Sequence, residues 1–531
     1  MHRPVFYDPS GGRSRWSLRL LVMLLAAIAA AAALFATTIV NVPAGSPLAL
    51  RFERPAPLPL RGQIAGVRHH IAHGIRALGK WLPRGPAHPA GARPLTVGFY
   101  VPWDDASRTS LAAHAGVLDW VAPSLIGMTG PAHALHIVDD PGFDHIIAAA
   151  ARRPKVLPVL QNAANGVWDS ADTAAMLHDP AARARLIAQL GAPLDHEHAA
   201  GIVFDFEALP RSAISDYLLL LGEAHRALAA RGLIVTVTVP VGDADWPLAA
   251  FARVADRIFL MDYDEHWQGG GAGPIASQPW FIDRLREGIA RIGRDRLIVA
   301  IANYAYDWHG HDADALSVEE AWLAAHDSGA PVAFDAASGN AGFAYRQGDE
   351  VHSVWMLDAA SAWNQLRAVQ ALGVPGVALW RLGSEDPGIW PVLAGYRSGL
   401  RPALTAIRPV ANVDVEGSGE ILRITATPQN GARQLRYDRT GMIRDEHYLR
   451  LPTPYVVRRT GGRPKLVALT FDDGPDATWT PRILNILESA HVPATFFVIG
   501  ENALQHPGLL RRIVDDGSEI GNHSTTHPNM A

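Results

Sequence analysis

The 531-residue chain contains no cysteine. That absence excludes a disulfide framework, a thiol nucleophile and every cysteine-ligated zinc or iron–sulfur site. It leaves an oxidising compartment open, because a large domain can be stabilised there by burial alone. Net charge is nearly absent too: 47 Lys+Arg against 52 Asp+Glu give −5, too little to indicate a nucleic-acid partner. Charged residues are only 19% and hydrophobic ones 48%, a balance that favours packed cores over disorder. At roughly 150 residues per domain the length corresponds to about three domains.

Acidic residues are scarce at one end. Residues 1–94 hold 2 Asp+Glu beside 12 Lys+Arg, a net +10, so the rest of the chain carries −15. Inside this basic head, Leu20–Val40 has no charged residue, and only Thr37 and Thr38 are polar. As a helix this run spans about 30 Å, the thickness of a bilayer's hydrocarbon layer. Arg3, Arg13, Arg15 and Arg19 precede it. The positive-inside bias therefore predicts a cytoplasmic tail over 1–19, a single transmembrane helix over 20–40 in the inner membrane, and periplasmic domains beyond it. A cleaved leader ending near Val42-Pro43-Ala44 is the alternative, although its apolar core would exceed the usual ~7–15 residues. Residues 41–94 form a Pro/Arg-rich linker. There Ile64, Val67, Ile71, Ile75, Leu78 and Leu82 recur at helical spacing opposite Arg68, His69, His70, Arg76 and Lys80. That pattern fits either a basic amphipathic helix on anionic headgroups or a solvated helix over the next domain.

From 95 to 399 eight short β-rich runs alternate with helix-like segments. The runs are Thr96–Trp103, Val117–Pro123, Lys155–Gln161, Gly201–Glu207, Leu233–Val241, Arg257–Tyr263, Leu297–Asn303 and Val374–Arg381. Pro180–Leu190 and Ile214–Ala230 show helical apolar periodicity. Their number and the domain size predict an α/β fold, a (β/α)8 TIM barrel, with an open doubly wound sheet as the alternative. No glycine-rich phosphate loop follows the first run, which disfavours a dinucleotide fold.

The fourth run reads Gly201-Ile202-Val203-Phe204-Asp205-Phe206-Glu207. Alternation along a strand puts Ile202, Phe204 and Phe206 on one face and Val203, Asp205 and Glu207 on the other. Two carboxylates aimed into a barrel lumen at the strand's C-terminal end are costly to bury, which marks them as functional candidates. A solvent-exposed strand end is the alternative, and the flanking aromatics argue against it.

Phe204-Asp205-Phe206-Glu207 resembles the end of the D-x-x-D-x-D-x-E signature of glycoside hydrolase family 18, the chitinase-like barrels. Met261-Asp262-Tyr263-Asp264 resembles that family's M-x-Y-D, Ala300–Tyr304 its strand-seven aromatic segment, and Gly376–Trp380 its last strand. The resemblance implies substrate-assisted hydrolysis of N-acetylglucosamine polymers, with no cofactor for the barrel. Glu207 would be the general acid, and Asp205 would hold the 2-acetamido group whose oxygen attacks the anomeric carbon. Tyr263 and Asp264 would position that group, and Trp380 would stack on the pyranose ring. Two aspartates of the signature are replaced here, by Ala200 and Val203. The inner one tunes the Asp205 equivalent in chitinases, and cortex peptidoglycan-cutting relatives keep a similarly reduced D-x-E. A non-catalytic, membrane-anchored sugar-binding scaffold and a peptidoglycan-modifying enzyme are the alternatives.

Residues 400–464 carry Pro402, Pro409, Pro428, Pro452, Pro454 and Pro464 and short alternating stretches, Ile421–Thr427 and Tyr455–Arg459. They read as a small β-rich connector packed on the barrel, with no chemistry of its own. From 465 an apolar run ends in Thr470-Phe471-Asp472-Asp473-Gly474-Pro475, and Gly521-Asn522-His523-Ser524-Thr525-Thr526-His527-Pro528 follows. Two histidines four apart can share one face of a helical turn and bind one metal. The pair of motifs, with Ala494–Gly500 between them, resembles the first part of the polysaccharide deacetylase (NodB-homology) family.

That resemblance implies Asp472 as general base. Asp473, His523 and His527 would be ligands of a divalent metal, zinc or similar. The later motifs of a deacetylase barrel are not in residues 465–531, so the chain as given is expected to have little deacetylase activity. The domain order is similar to bacterial fusion proteins that continue into a family 2 glycosyltransferase, with polysaccharide-synthesis partners.

Overall fold

The computed structural model describes residues 81–82, 94–164, 166–409, 413–461 and 467–527. The predicted anchor over 20–40 and nearly all of the amphipathic stretch lie outside them. Among the described residues, no helix is long and apolar enough to cross a membrane. The chain divides into two compact units. One reaches Gly417 and includes Arg423–Arg458; the other comprises Ser418–Leu422 and everything from Arg459.

The first unit is built around eight parallel strands. They are β1 (Leu95–Tyr100), β2 (Trp120–Pro123), β3 (Lys155–Val156 and Val159–Gln161, either side of Pro158), β4 (Gly201–Asp205), β5 (Ile234–Pro240), β6 (Arg257–Met261), β7 (Leu297–Ala302) and β8 (Gly376–Trp380). Proline has no N–H to give a ladder, so Pro158 splits β3 without ending it. Lys155 and Leu157 N–H donate to carbonyls of Asp119 and Val121, whereas Ala200 and Val203 N–H donate to Val156 and Pro158. One segment thus bonds on both sides and, with β8 paired to β1, closes the sheet into a barrel. Helices Pro180–Gln189 and Ile214–Ala229 occupy two of the predicted helical stretches.

Strand alternation sorts the side chains into two cores. Val97, Phe99, Val159, Val203, Phe259, Ile298, Ala300 and Ala378 fill the lumen. Their neighbours Ile202, Phe204, Val237, Leu260, Val299 and Leu379 face the surrounding helices. Period 2 therefore decides which side chains the lumen receives.

The region between β7 and β8 is not a simple crossover helix, as the eightfold pattern implied. Strands Ala305–His309, Asp312–Leu316, Ala333–Phe334, Ala341–Gln347 and Glu350–Met356 leave the barrel and form most of an eight-stranded sheet. The same sheet takes Ala406–Ile407, Gly431–Tyr437 and Ile443–Arg450. Much of the expected connector is thus one body with this insertion, because antiparallel pairing of Ala333 with His447 joins them. Arg433 fastens it further: buried completely, it bonds Asp386 at 2.7 Å, Glu446 at 3.1 Å and the Leu404 carbonyl at 2.7 Å. Trp81, in the stretch read as linker, is buried with Arg444 4.3 Å over its ring.

The second unit holds three parallel strands, β9 (Thr470–Gly474), β10 (Thr495–Val498) and β11 (Glu519–Asn522). Helices Trp479–Ala490 and Pro507–Asp515 accompany them, around a small core of Leu484, Leu487, Phe496 and Ile513.

Candidate active site

The C-terminal ends of the barrel strands bring the predicted residues of the first unit together. Asp205 and Glu207 follow Val203 on the lumen face, while Phe204 and Phe206 are wholly buried on the other. Tyr263 and Trp380 pack against the same lumen cluster from the ends of β6 and β8. Asp264 comes next to Tyr263, with φ at +65°, a region that residues other than glycine seldom take.

Asp205 is 2% exposed. Its Oδ2 accepts from Gln161 Nε2 at 2.9 Å and its Oδ1 from Thr238 Oγ1 at 2.6 Å. Burial pushes its carboxyl up, and these two donors oppose the shift by favouring the ionised form. Glu207 is pushed up to about 8, first by burial and then by the carboxylates of Asp205 and Asp264. Asp264 is held at about 6; burial raises it, and the hydroxyls of Tyr304 and Tyr306, both donating to Oδ1, draw it back. Tyr263 is raised as well, by burial and then by Glu207, Asp264 and Asp205. Asn162 fixes the backbone of the acid: its Oδ1 accepts from Glu207 N–H at 2.8 Å and its Nδ2 donates to the Glu207 carbonyl at 3.0 Å.

Chemically, this is a proton donor still protonated at neutral pH beside a second buried carboxyl group. Gln161, Asn162, Thr238 and Tyr306 were not singled out from the sequence. Gln161 and Asn162 end the third apolar run, and polar side chains at the C-terminal end of a barrel strand are the signal that could have found them. Trp103 and Trp267 stand exposed just beyond β1 and β6.

In the second unit Asp473, His523 and His527 converge. Asp473 Oδ1 lies 3.2 Å from His523 Nε2 and 3.4 Å from His527 Nε2, and the ligating atoms all fall within 4.8 Å of one another. The expected helical turn is absent. His523 and His527 instead sit in a loop after β11, with Ser524 and His527 at positive φ. Asn522 Oδ1 accepts from Ser524 N–H and Ser524 Oγ from His527 N–H, both at 2.9 Å, and these turns bring the rings together. One carboxylate and two imidazoles on one centre suit zinc or a similar divalent cation. Asp472 is exposed beside Asp473 on β9.

The family model of glycosyl hydrolases family 18 matches residues 96–386, more than half of the chain, which therefore belongs to that family. The polysaccharide deacetylase model matches residues 459–531. Both are hydrolase families, and the chain is a hydrolase.

Among individual proteins, the chain is similar to the uncharacterized glycosylase YvbX of Bacillus subtilis. The two are 26% identical over 327 residues, which covers 58% of this chain and 92% of YvbX. A chitinase structure from Chromobacterium violaceum superposes with a TM-score of 0.53 at 26% identity, over 57% of this chain and 98% of that one. The chain is also similar to a peptidoglycan-N-acetylglucosamine deacetylase of Bacillus cereus, at 55% identity over 65 residues. That match covers 12% of this chain and 24% of the deacetylase, so the chain spans about a quarter of that relative's length.

Proposed function

We propose that the protein is a membrane-anchored, extracytoplasmic hydrolase of N-acetylglucosamine-containing polysaccharide, with a substrate-assisted glycosidase in its barrel and a metal-dependent N-deacetylase site in its second unit. The observation that carries this reading is the buried Asp205 at the C-terminal end of β4 with Glu207 beside it, pushed up to about 8 by burial and the neighbouring carboxylates. Glu207 gives its proton to the glycosidic oxygen as the bond to the anomeric carbon breaks. Asp205 accepts the acetamide N–H and turns the acetamide oxygen toward that carbon, so no second enzymic nucleophile is required. Water then opens the ring so formed, returning its proton to Glu207. Trp380, Trp103 and Trp267 offer aromatic faces to successive sugars. The uncharged run at 20–40 behind four arginines supports the anchor.

The reading is tested on oligomers of N-acetylglucosamine and on purified peptidoglycan. Cleavage of either by the wild type supports a glycosidase and separates the two substrate classes. Binding of both without cleavage would favour the sugar-binding scaffold. The pH dependence follows from three perturbed carboxyls: kcat/KM should rise as Asp205 and Asp264 ionise, Asp264 through about 6, and fall as Glu207 deprotonates through about 8. A rate still climbing at pH 9 would remove Glu207 as the acid.

In the second unit, Asp473, His523 and His527 would hold the cation, which when bound would polarise an acetamide carbonyl and acidify water. Asp472, exposed alongside, would take a proton from the attacking water. Calorimetric titration with zinc is expected to show a single ion bound per chain, and Asp473→Ala or His523→Ala to lose it. Equal binding by those variants would overturn the ligand assignment.

A further inference from the structure

We propose that Gln161 and Thr238 are positioning residues, holding Asp205 as a fixed acceptor for the amide N–H of the sugar's 2-acetamido group without help from a second carboxylate. The inference rests on the roles given above to Asp205 and Glu207.

The barrel's register makes the arrangement. Gln161 on β3 lies directly opposite Asp205 on β4. On the other side Thr236 pairs with Val203, which places Thr238 two residues on in the same rank as Asp205. All three side chains face the lumen, so Asp205 has a donor from each neighbouring strand, at 2.9 and 2.6 Å. The residue that precedes it on this face, Val203, is wholly buried in the apolar lumen cluster and cannot share a proton.

A carboxylate has about four acceptor positions. Two are taken by Gln161 and Thr238, one on each oxygen, and those remaining can receive an amide N–H from the open end of the barrel. Thr238 has a second partner: its Oγ1 lies 3.4 Å from the Phe204 carbonyl oxygen. With Asp205 ionised, the hydroxyl donates to Oδ1. With Asp205 protonated, the carboxyl can donate to Oγ1 while the hydroxyl turns its own proton to Phe204. The carboxyl thus keeps its orientation in either protonation state. Gln161, bound through its amide nitrogen, keeps the other oxygen from rotating away.

Steady-state kinetics on N-acetylglucosamine oligomers, run across pH, test this with Thr238→Val, Gln161→Met, the conservative Thr238→Ser, and Glu207→Gln as reference. Thr238→Val and Gln161→Met are each expected to lower kcat about tenfold or more while KM changes less than about threefold, since the orientation matters most in the transition state. Thr238→Ser should restore most of the rate. The titratable groups electrostatically close to Asp205 are Glu207 just beyond the end of β4, Tyr217 of helix Ile214–Ala229 on the outer side and Tyr263 beyond β6. None of them is altered, so losing a donor to the ionised form should move the acidic limb of the profile upward.

Gln161→Glu keeps the size and puts a second carboxylate beside Asp205. It should move the same limb upward further, and it serves if the other variants fail to fold. Wild-type kcat and an unmoved acidic limb in the folded variants, with Glu207→Gln inactive, would overturn this inference alone. Hydrolysis surviving in Glu207→Gln would overturn the proposed function and this inference with it.

Discussion

Glu207→Gln is expected to lower kcat for N-acetylglucosamine oligomers by about 10²–10⁴-fold, the usual contribution of a general acid, while making the protein more stable. Both effects come from the same burial. The folded protein holds the carboxyl at about 8, against an ordinary value of 4.5. Between those values the native state keeps a proton that the unfolded chain has lost, so Glu207 makes stability fall as pH rises through that window. Glu207 keeps partial access to solvent, so the cost at pH 7 is discounted to about 2 kcal/mol. Glutamine has the same shape and no charge to desolvate. The melting temperature of the variant should therefore exceed that of the wild type at pH 7 and converge with it at pH 4. A variant that melts lower at pH 7 would show that the carboxyl is not held at a cost.

Arg433→Met should cost about 3–5 kcal/mol of stability, because it strips a buried ion network of its only cation among the described residues. The side chains of Arg433, Asp386 and Glu446 are all at most 1% exposed. Coulombic attraction to Asp386 and Glu446 holds the guanidinium charged in spite of burial, and burial pushes Glu446 up. Without the arginine, Asp386 and Glu446 are left desolvated and the Leu404 carbonyl loses its donor. The loss should shrink on adding Asp386→Asn and Glu446→Gln, since amides carry no charge to neutralise. Chemical denaturation of the single and triple variants measures this. A single variant as stable as the wild type would mean that the network contributes nothing net. Arg433 joins the loop after β8 to strands Gly431–Tyr437 and Ile443–Arg450, so the same loss should loosen the loop that follows Trp380.

Several parts of this protein could be read before any fold was known. Alternation in Gly201–Glu207 assigned Asp205 and Glu207 to a common face, and the structure puts Val203 of that face in the lumen. Each of the eight β-rich runs holds one barrel strand, since apolar strands between helices leave a local pattern. The insertion between β7 and β8 left no comparable trace. Ala305–His309 pairs antiparallel with Glu350–Met356 across more than 40 residues, and Ala333 meets His447 from far along the chain. Likewise the histidine pair was spaced for a helix, yet Asn522 and Ser524 turn the backbone into a loop that joins the rings by another route.

The sequence by itself determined the common face of Asp205 and Glu207, the number of barrel strands and the four-residue spacing of His523 and His527, because each rests on local periodicity or spacing, whereas Asp473 entered only through a family resemblance. Only the tertiary structure decided that Gln161 and Thr238 grip Asp205, that Asn162 clamps Glu207, and that Tyr304 and Tyr306 meet at Asp264. The first two depend on the register between neighbouring strands, and the tyrosines on where the chain turns beyond β7. The elevated carboxyl of Glu207 belongs to the same class. Its cause is desolvation and neighbouring charge, and both come into being only when the barrel closes.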